Sequence, residues 1–110
     1  MSSAAAGPML AHSVYFKLND ASAAAKQRLV AACKQRLANA PGVVYFAAGT
    51  LAEDIEWSVS DRQFDVVLHM VFRSKADHDR YQDSPEHVQF MEENQDNWAN
   101  IRAFDAYVNS

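Results

Sequence analysis

The segment from Phe64 to Phe72, which has the composition of a β-strand, constrains the fold of this chain more than any other segment. The alternating residues on one of its faces are all apolar: Phe64, Val66, Leu68, Met70 and Phe72. Val67 and Val71 add apolar side chains to the opposite face, beside Asp65 and His69. Because a sheet with one solvated face alternates cleanly between apolar and polar residues, we expect both faces of this strand to be covered.

The other segments complete a recognisable order of elements. The predicted order is strand 12–17, helix 21–40, strand 43–50, strand 64–72, a broken helical segment from 74, and strand 101–108. Asn19-Asp20 is expected to cap the first helix, and Pro41-Gly42 to stop it. The order β-α-β-β-α-β predicts an α+β, ferredoxin-like fold with a four-stranded antiparallel sheet and helices on one face.

The second helical segment carries two start signals. Ser74 with Asp77 three residues later resembles a capping box. Ser84 before Pro85 breaks this helix and starts the next, because Pro disfavours the α conformation of the preceding residue and suits the first helical position. We expect Trp98 to add a large apolar contact to this last helix.

The apolar strands predict a homodimer. Helices cover only one face of such a sheet, and Tyr45 or Phe46 must also point away from them. A second copy of the sheet packed on the free face would bury these side chains, and a twofold homodimer is the commonest way to supply it.

Length and charge limit the function classes. The chain has 110 residues, which predicts one domain at 11–110 after a disordered tail at 1–10. A net charge of −4 argues against binding to nucleic acid or to an anionic membrane. No apolar run is long enough for a membrane span, and the one cysteine, Cys33, forms no intrachain disulfide. We therefore expect a cytoplasmic protein.

Tyr81 and His87 are the strongest candidates for catalysis or ligand binding. The Ser84-Pro85 break lets the end of one helix and the start of the next direct both side chains toward one pocket. The positive end of the helix dipole disfavours a charged imidazole at His87, so this residue is predicted to be a neutral base beside a phenol. The alternative is structural, with the Tyr81 ring packed on the sheet and His87 bonded to a helix terminus.

The chain from His12 to Val108 resembles the stress-responsive A/B barrel family, also called dimeric A/B barrel or Dabb domains. The resemblance is strongest from Phe64 onward, in the strand, the helix ending at Tyr81, the motif Ser84-Pro85-Glu86-His87, and the closing strand. Members of this family pair two ferredoxin-like sheets into a barrel-like core, which implies a dimeric α/β barrel.

The spacing of Tyr81 and His87 is also similar to that of plant polyketide cyclases within this family. These enzymes close a ring by an aldol-type reaction without a cofactor, which implies His87 as base and Tyr81 as its polar partner. His12 matches a further pocket histidine of the cyclases, whereas Val66 stands where they have a histidine on the third strand.

The remaining candidates carry weaker expectations. His69 is predicted to be a hydrogen-bonded interface residue, His78 to be solvated, and Trp57 to anchor its loop or close a pocket. No motif predicts a zinc site or a cofactor. Three functions follow: a homodimer that binds a small apolar molecule through His12, Tyr81 and His87; a cofactor-free cyclase-like enzyme with His87 and Tyr81 as catalytic residues; or a structural, stability-conferring oligomer.

Overall fold

The computed structural model describes residues 7–109 and has the predicted order of elements. The strands are β1 Met9–Leu18, β2 Val43–Thr50, β3 Val66–Phe72 and β4 Trp98–Val108; the helices are α1 Ala23–Leu37, α2 Lys75–Gln82 and α3 Pro85–Asn94, with a 3₁₀ turn at Gln95–Asn97. The strands form an antiparallel sheet in the order β2-β3-β1-β4, which confirms the α+β, ferredoxin-like prediction. The predicted tail, 1–10, lies mostly outside the described residues, but Met9 and Leu10 already belong to β1.

The core lies between the three helices and one face of the sheet. The alternating residues of β1 and β3 point into it, as the sequence predicts for His12, Val14 and Phe16 and for the even-numbered residues from Val66. The largest fully buried side chains are Phe16, Phe72, Leu37, Leu68, Met70, Val66 and Cys33. Burial of these apolar groups is the main force that fixes the helices on this face.

The first helix is shorter than predicted, and Ser22 caps it in place of Asn19-Asp20. The Ser22 hydroxyl accepts a hydrogen bond from the backbone N–H of Ala25 at 3.2 Å, while the Asp20 carboxylate accepts from the N–H of Ser22. A short turn then leads through Gly42, whose φ of +89° is a left-handed conformation. A side chain at this position would also collide with the Asp77 carboxyl group, so both the backbone and the space require glycine.

The third strand begins at Val66, two residues later than predicted. The Asp65 carboxylate accepts a hydrogen bond from the Leu18 backbone N–H at 2.8 Å. Phe64 does not lie on the face of Val66, where we expected it. Its ring instead contacts Tyr15 on the opposite face, with centroids 4.9 Å apart.

Both predicted helix starts in the second helical segment are confirmed. The Ser74 hydroxyl accepts from Asp77 N–H, and the Ser84 hydroxyl accepts from His87 N–H, each at 3.2 Å. The last strand begins at Trp98, three residues earlier than predicted, and the Trp98 ring makes the expected contact with the last helix, 5.8 Å from the Phe90 ring. The Trp98 ring also packs into the core, since it lies 4.9 Å from the Phe16 ring.

Within residues 7–109, no helix covers the opposite face of the sheet, which exposes large apolar side chains. Phe46 pairs with Met70 and packs against the core, whereas Tyr45 pairs with Val71 and points away. Of the two residues that the sequence left as alternatives, Tyr45 is therefore the one on the face opposite the helices. Tyr45 is 56% exposed, and Phe104 on β4 is 54% exposed. This surface, which we call the free face, has the apolar character that the sequence predicts for it.

Candidate functional site

A pocket of about 370 Å³ opens between β1 and β4 on one side and helices α2 and α3 on the other. Its lining is predominantly apolar, with polar groups contributed by a few residues. The residues that line it include His12, His78, Tyr81, Gln82, His87, Trp98, Ile101, Ala103 and Asp105. The structure thus brings the three residues predicted from the sequence, His12, Tyr81 and His87, to one cavity.

Tyr81 lies in the last turn of α2 and is almost fully buried. Its ring packs against Phe72 of β3, with centroids 5.1 Å apart, as the structural alternative expected. Burial raises the pKa of its phenol well above the usual range, so the hydroxyl is protonated at neutral pH. Tyr81 therefore combines a packing role with a hydrogen-bond donor at the pocket.

His87 lies in the first turn of α3, and its ring lies 4.7 Å from that of Tyr81. The pKa of its imidazole is lowered, mainly by burial, and the neighbouring His12 and His78 lower it further. The sequence predicts a shift in this direction. Its Nδ1 lies 3.1 Å from the Gln82 carbonyl oxygen, which only accepts hydrogen bonds. Nδ1 therefore carries the proton in the neutral ring, and Nε2 carries the lone pair.

Ser84 holds the two helix ends together. Its hydroxyl accepts from the His87 N–H at 3.2 Å and donates to the Tyr81 carbonyl oxygen at 2.8 Å. One side chain thus joins the backbone of both candidate residues. This is the physical basis for the convergence that the Ser84-Pro85 break predicts.

His12 is buried and lies on β1 directly opposite Asp105 of β4. Its Nδ1 is 2.5 Å from Asp105 Oδ1. The ring also contacts Tyr81, with centroids 6.2 Å apart, so His12 belongs to the same group of polar side chains.

Two members of this group, His78 and Asp105, are not among the site residues predicted from the sequence. His78 is not solvated as predicted, because its side chain is only 14% exposed and its ring lies 4.9 Å from that of His12. His78 stands three residues before Tyr81, so the two share a helix face, and this spacing could have revealed it. Asp105 was harder to predict from the sequence, because it is marked only as the one carboxylate among the apolar residues of the last strand.

Two further residues singled out in the sequence lie away from the pocket. His69 is on the free face, where its Nδ1 lies 2.9 Å from the Ser13 hydroxyl. Trp57 lies in the loop between β2 and β3 and is 75% exposed. Within the single chain it therefore closes no pocket.

Trp98, which lines the pocket, carries an unusual polar atom. Its Nε1 is buried, and no group in residues 7–109 accepts a hydrogen bond from it. Buried donors are nearly always paired, so this indole N–H is an exception in the core.

The chain belongs to the stress responsive A/B barrel domain family, whose profile matches residues 10–108. This assignment confirms the resemblance recognised from the helices and from Ser84-Pro85-Glu86-His87. A comparison with curated proteins finds no match. None of the helices within residues 7–109 has the length and hydrophobicity that a membrane span requires.

Solved structures of the same fold include three informative neighbours. A Dabb family protein from Mesorhizobium loti is 24% identical, with a TM-score of 0.76 over 94% of this chain and 99% of that one. A hydroxynitrile lyase from Passiflora edulis is 22% identical, with a TM-score of 0.74 over 94% and 95%. A dimeric ferredoxin-like protein of unknown function from Thermobifida fusca is 17% identical, with a TM-score of 0.74 over 93% and 92%. At these identities the likeness concerns the fold.

Proposed function

We propose that this chain forms a homodimer that binds a small, largely apolar molecule in the pocket between the sheet and helices α2 and α3. The observation that carries the proposal is the convergence of Tyr81 and His87 on a cavity of about 370 Å³ that side chains leave unfilled. Pockets for small molecules have volumes of about 300–1,000 Å³ and apolar walls with a few polar groups. A structural oligomer without a ligand would instead fill this space.

The polar groups of the pocket favour a ligand with a carbonyl or hydroxyl group. Tyr81 offers a protonated phenol, and the neutral His87 offers an acceptor at Nε2. A carbonyl oxygen would accept from the Tyr81 hydroxyl, while a hydroxyl group would also donate to His87.

Fluorescence of Trp98 tests ligand binding. The chain has two tryptophans, so Trp57→Phe leaves Trp98 as the single reporter. Titration with a series of phenyl alkyl ketones should change its emission and saturate. In this background Tyr81→Phe should weaken binding by about five- to tenfold, the effect of one lost hydrogen bond.

Tyr45→Phe on the free face is the matched control, because it removes the same hydroxyl outside the pocket. Its ketone affinity should equal that of the parent. The binding proposal fails if no ketone changes Trp98 emission, or if the two Tyr→Phe variants lose the same affinity.

A second candidate function is cofactor-free proton transfer with His87 as the base. It is favoured by the hydrogen bond from His87 Nδ1 to the Gln82 carbonyl, which leaves Nε2 free to take a proton. Tyr81 would then donate to the developing oxyanion. The hydroxynitrile lyase from Passiflora edulis shares the fold, and both its class of reaction and an aldol-type cyclisation require a base beside an oxygen-bearing substrate.

Deuterium exchange separates this enzyme from a binding protein. A bound ketone that reaches a base should exchange the hydrogens next to its carbonyl with D₂O, which NMR measures directly. His87→Gln should abolish the exchange while ketone binding persists. Binding without protein-dependent exchange in the parent would rule out the catalytic candidate and leave the binding proposal intact.

The proposed homodimer is supported by the exposed apolar side chains of the free face and by structural neighbours that are described as dimeric. Val71→Asp would bury an unpaired charge between the two sheets and should give a monomer or insoluble protein. Ala31→Asp adds the same charge to the exposed side of α1 and should leave the elution volume unchanged. A soluble Val71→Asp protein with the parent's elution volume would remove this face from the interface.

We further propose a reducing, cytoplasmic location. Cys33 is fully buried, and burial raises the pKa of its thiol to about 12, so the group stays protonated and unreactive.

A further inference from the structure

Three side chains from distant parts of the sequence meet at one end of the pocket. His12 comes from β1, His78 from α2 and Asp105 from β4, and each offers one ligand atom within 4.8 Å of the other two. Because these residues are far apart in the sequence, no short motif predicts the cluster. Two imidazoles and a carboxylate are ligands typical of zinc and other divalent transition metals.

The spacing of these atoms is close to that of a coordination shell. Nitrogen and oxygen ligands about 2.1 Å from a metal ion lie about 3.4 Å apart in a tetrahedral set. The three ligand atoms lie within 4.8 Å of one another, and an ion would draw them together through side-chain rotation.

The hydrogen bonds of His78 prepare it as a ligand. Its Nδ1 lies 3.1 Å from Asp79 Oδ1, and a carboxylate oxygen accepts hydrogen bonds. Nδ1 therefore carries the proton and Nε2 the lone pair, which at present faces the Gln82 side-chain amide at 3.2 Å. A carboxylate behind a histidine is the usual arrangement around a metal-binding imidazole.

The cluster is also accessible. The Asp105 side chain is 45% exposed. His78 and Asp105 line both the main pocket and a smaller one beside Ala106 and Tyr107, so an ion can enter from solvent while one coordination position faces the main pocket. We propose that His12, His78 and Asp105 bind a divalent transition-metal ion, with Asp79 as a positioning residue behind His78. This inference does not depend on the proposed organic ligand.

Metal titration of the untagged chain, without any ketone, tests the site. After treatment with a chelator, the protein is titrated at about pH 7.5, where unperturbed histidines are mostly neutral. Zn²⁺ binding is measured by calorimetry and Co²⁺ binding by its visible absorption. We expect one ion per chain and Co²⁺ bands that Zn²⁺ abolishes.

Variants at the accessible residues locate the ion without disturbing the buried His12. His78→Ala and Asp105→Asn should each weaken Zn²⁺ binding by at least about tenfold, and Asp79→Asn by about 10- to 100-fold. His69→Ala removes a histidine from the opposite face of the sheet and should bind as the parent does. Circular dichroism confirms that each variant is folded.

The inference is overturned if the parent chain binds neither Zn²⁺ nor Co²⁺ at millimolar concentrations. It is equally overturned if His69→Ala weakens binding as much as His78→Ala, because the ion would then bind elsewhere. Loss of ketone binding alone would leave the metal site standing.

Discussion

The half of the core under α1 and the half under α2 and α3 differ in how well side chains fill them. Under α1, Leu37 and Cys33 are fully buried against the sheet. Under α2 and α3, a pocket of about 370 Å³ remains, and Ile101 of its floor is 47% exposed. The same sheet face thus supports a packed core at one end and a cavity at the other. The Ser84-Pro85 break lies between the two short helices that cover the cavity.

The largest expected effect is a loss of stability on truncating a side chain in the packed half, under α1. Leu37→Ala should lower the free energy of unfolding by about 2–5 kcal/mol, because it opens a cavity where the surroundings cannot collapse. Ile101→Ala, in the pocket floor, should cost about 1 kcal/mol or less. Urea denaturation measures both. Equal losses would mean that the two halves are packed alike.

The next effect concerns the cap that joins the two helix ends. Ser84→Ala should lower the free energy of unfolding by about 1 kcal/mol, and it should also weaken ketone binding because Tyr81 and His87 lose their shared anchor. Ser74→Ala removes a comparable cap from α2 and should affect stability alone. If both variants bind ketones as the parent does, Ser84 does not position the pocket.

Filling the pocket should change binding far more than stability. Ala103 of β4 lines the cavity, so Ala103→Leu places new carbon atoms in space that is already open. We expect the free energy of unfolding to change by about 0.5 kcal/mol or less and the Trp98 response to ketones to disappear. A loss of several kcal/mol would show that the space is closed in solution.

The smallest effect is a pH dependence carried by His87. The pKa of His87 is lower in the folded protein than the unfolded value of 6.5. The contribution of His87 to the free energy of unfolding is therefore complete above pH 6.5, and it is lost as the pH falls through the lower folded pKa. From about pH 7.5 to about pH 5, wild type should therefore lose more stability than His87→Gln. Parallel pH profiles of the two proteins would contradict the lowered pKa.

Much of the pocket half could be predicted from the sequence, because interactions between residues close together in the chain determine it. Ser74, Ser84 and Pro85 set the helix starts through hydrogen bonds within a few residues. The alternation in β3 predicted its buried face. The convergence of Tyr81 and His87 follows from these local signals.

What the sequence did not predict depends on contacts between distant segments. Asp105 meets His12 only because of the register between β1 and β4. The burial of His78 depends on how α2 lies on the sheet. Just before β3, the Asp65 carboxylate accepts from the Leu18 backbone N–H, and the Phe64 ring lies against Tyr15 on the other face of the sheet.

The position of β4 at the edge of the sheet has a kinetic consequence. Within residues 7–109, β4 pairs only with β1, and no strand lies beside its outer backbone groups. Edge strands open more readily than central ones, so β4 amides should exchange with solvent faster than those of β3. Because β4 also lines the pocket, a bound ligand should slow this exchange.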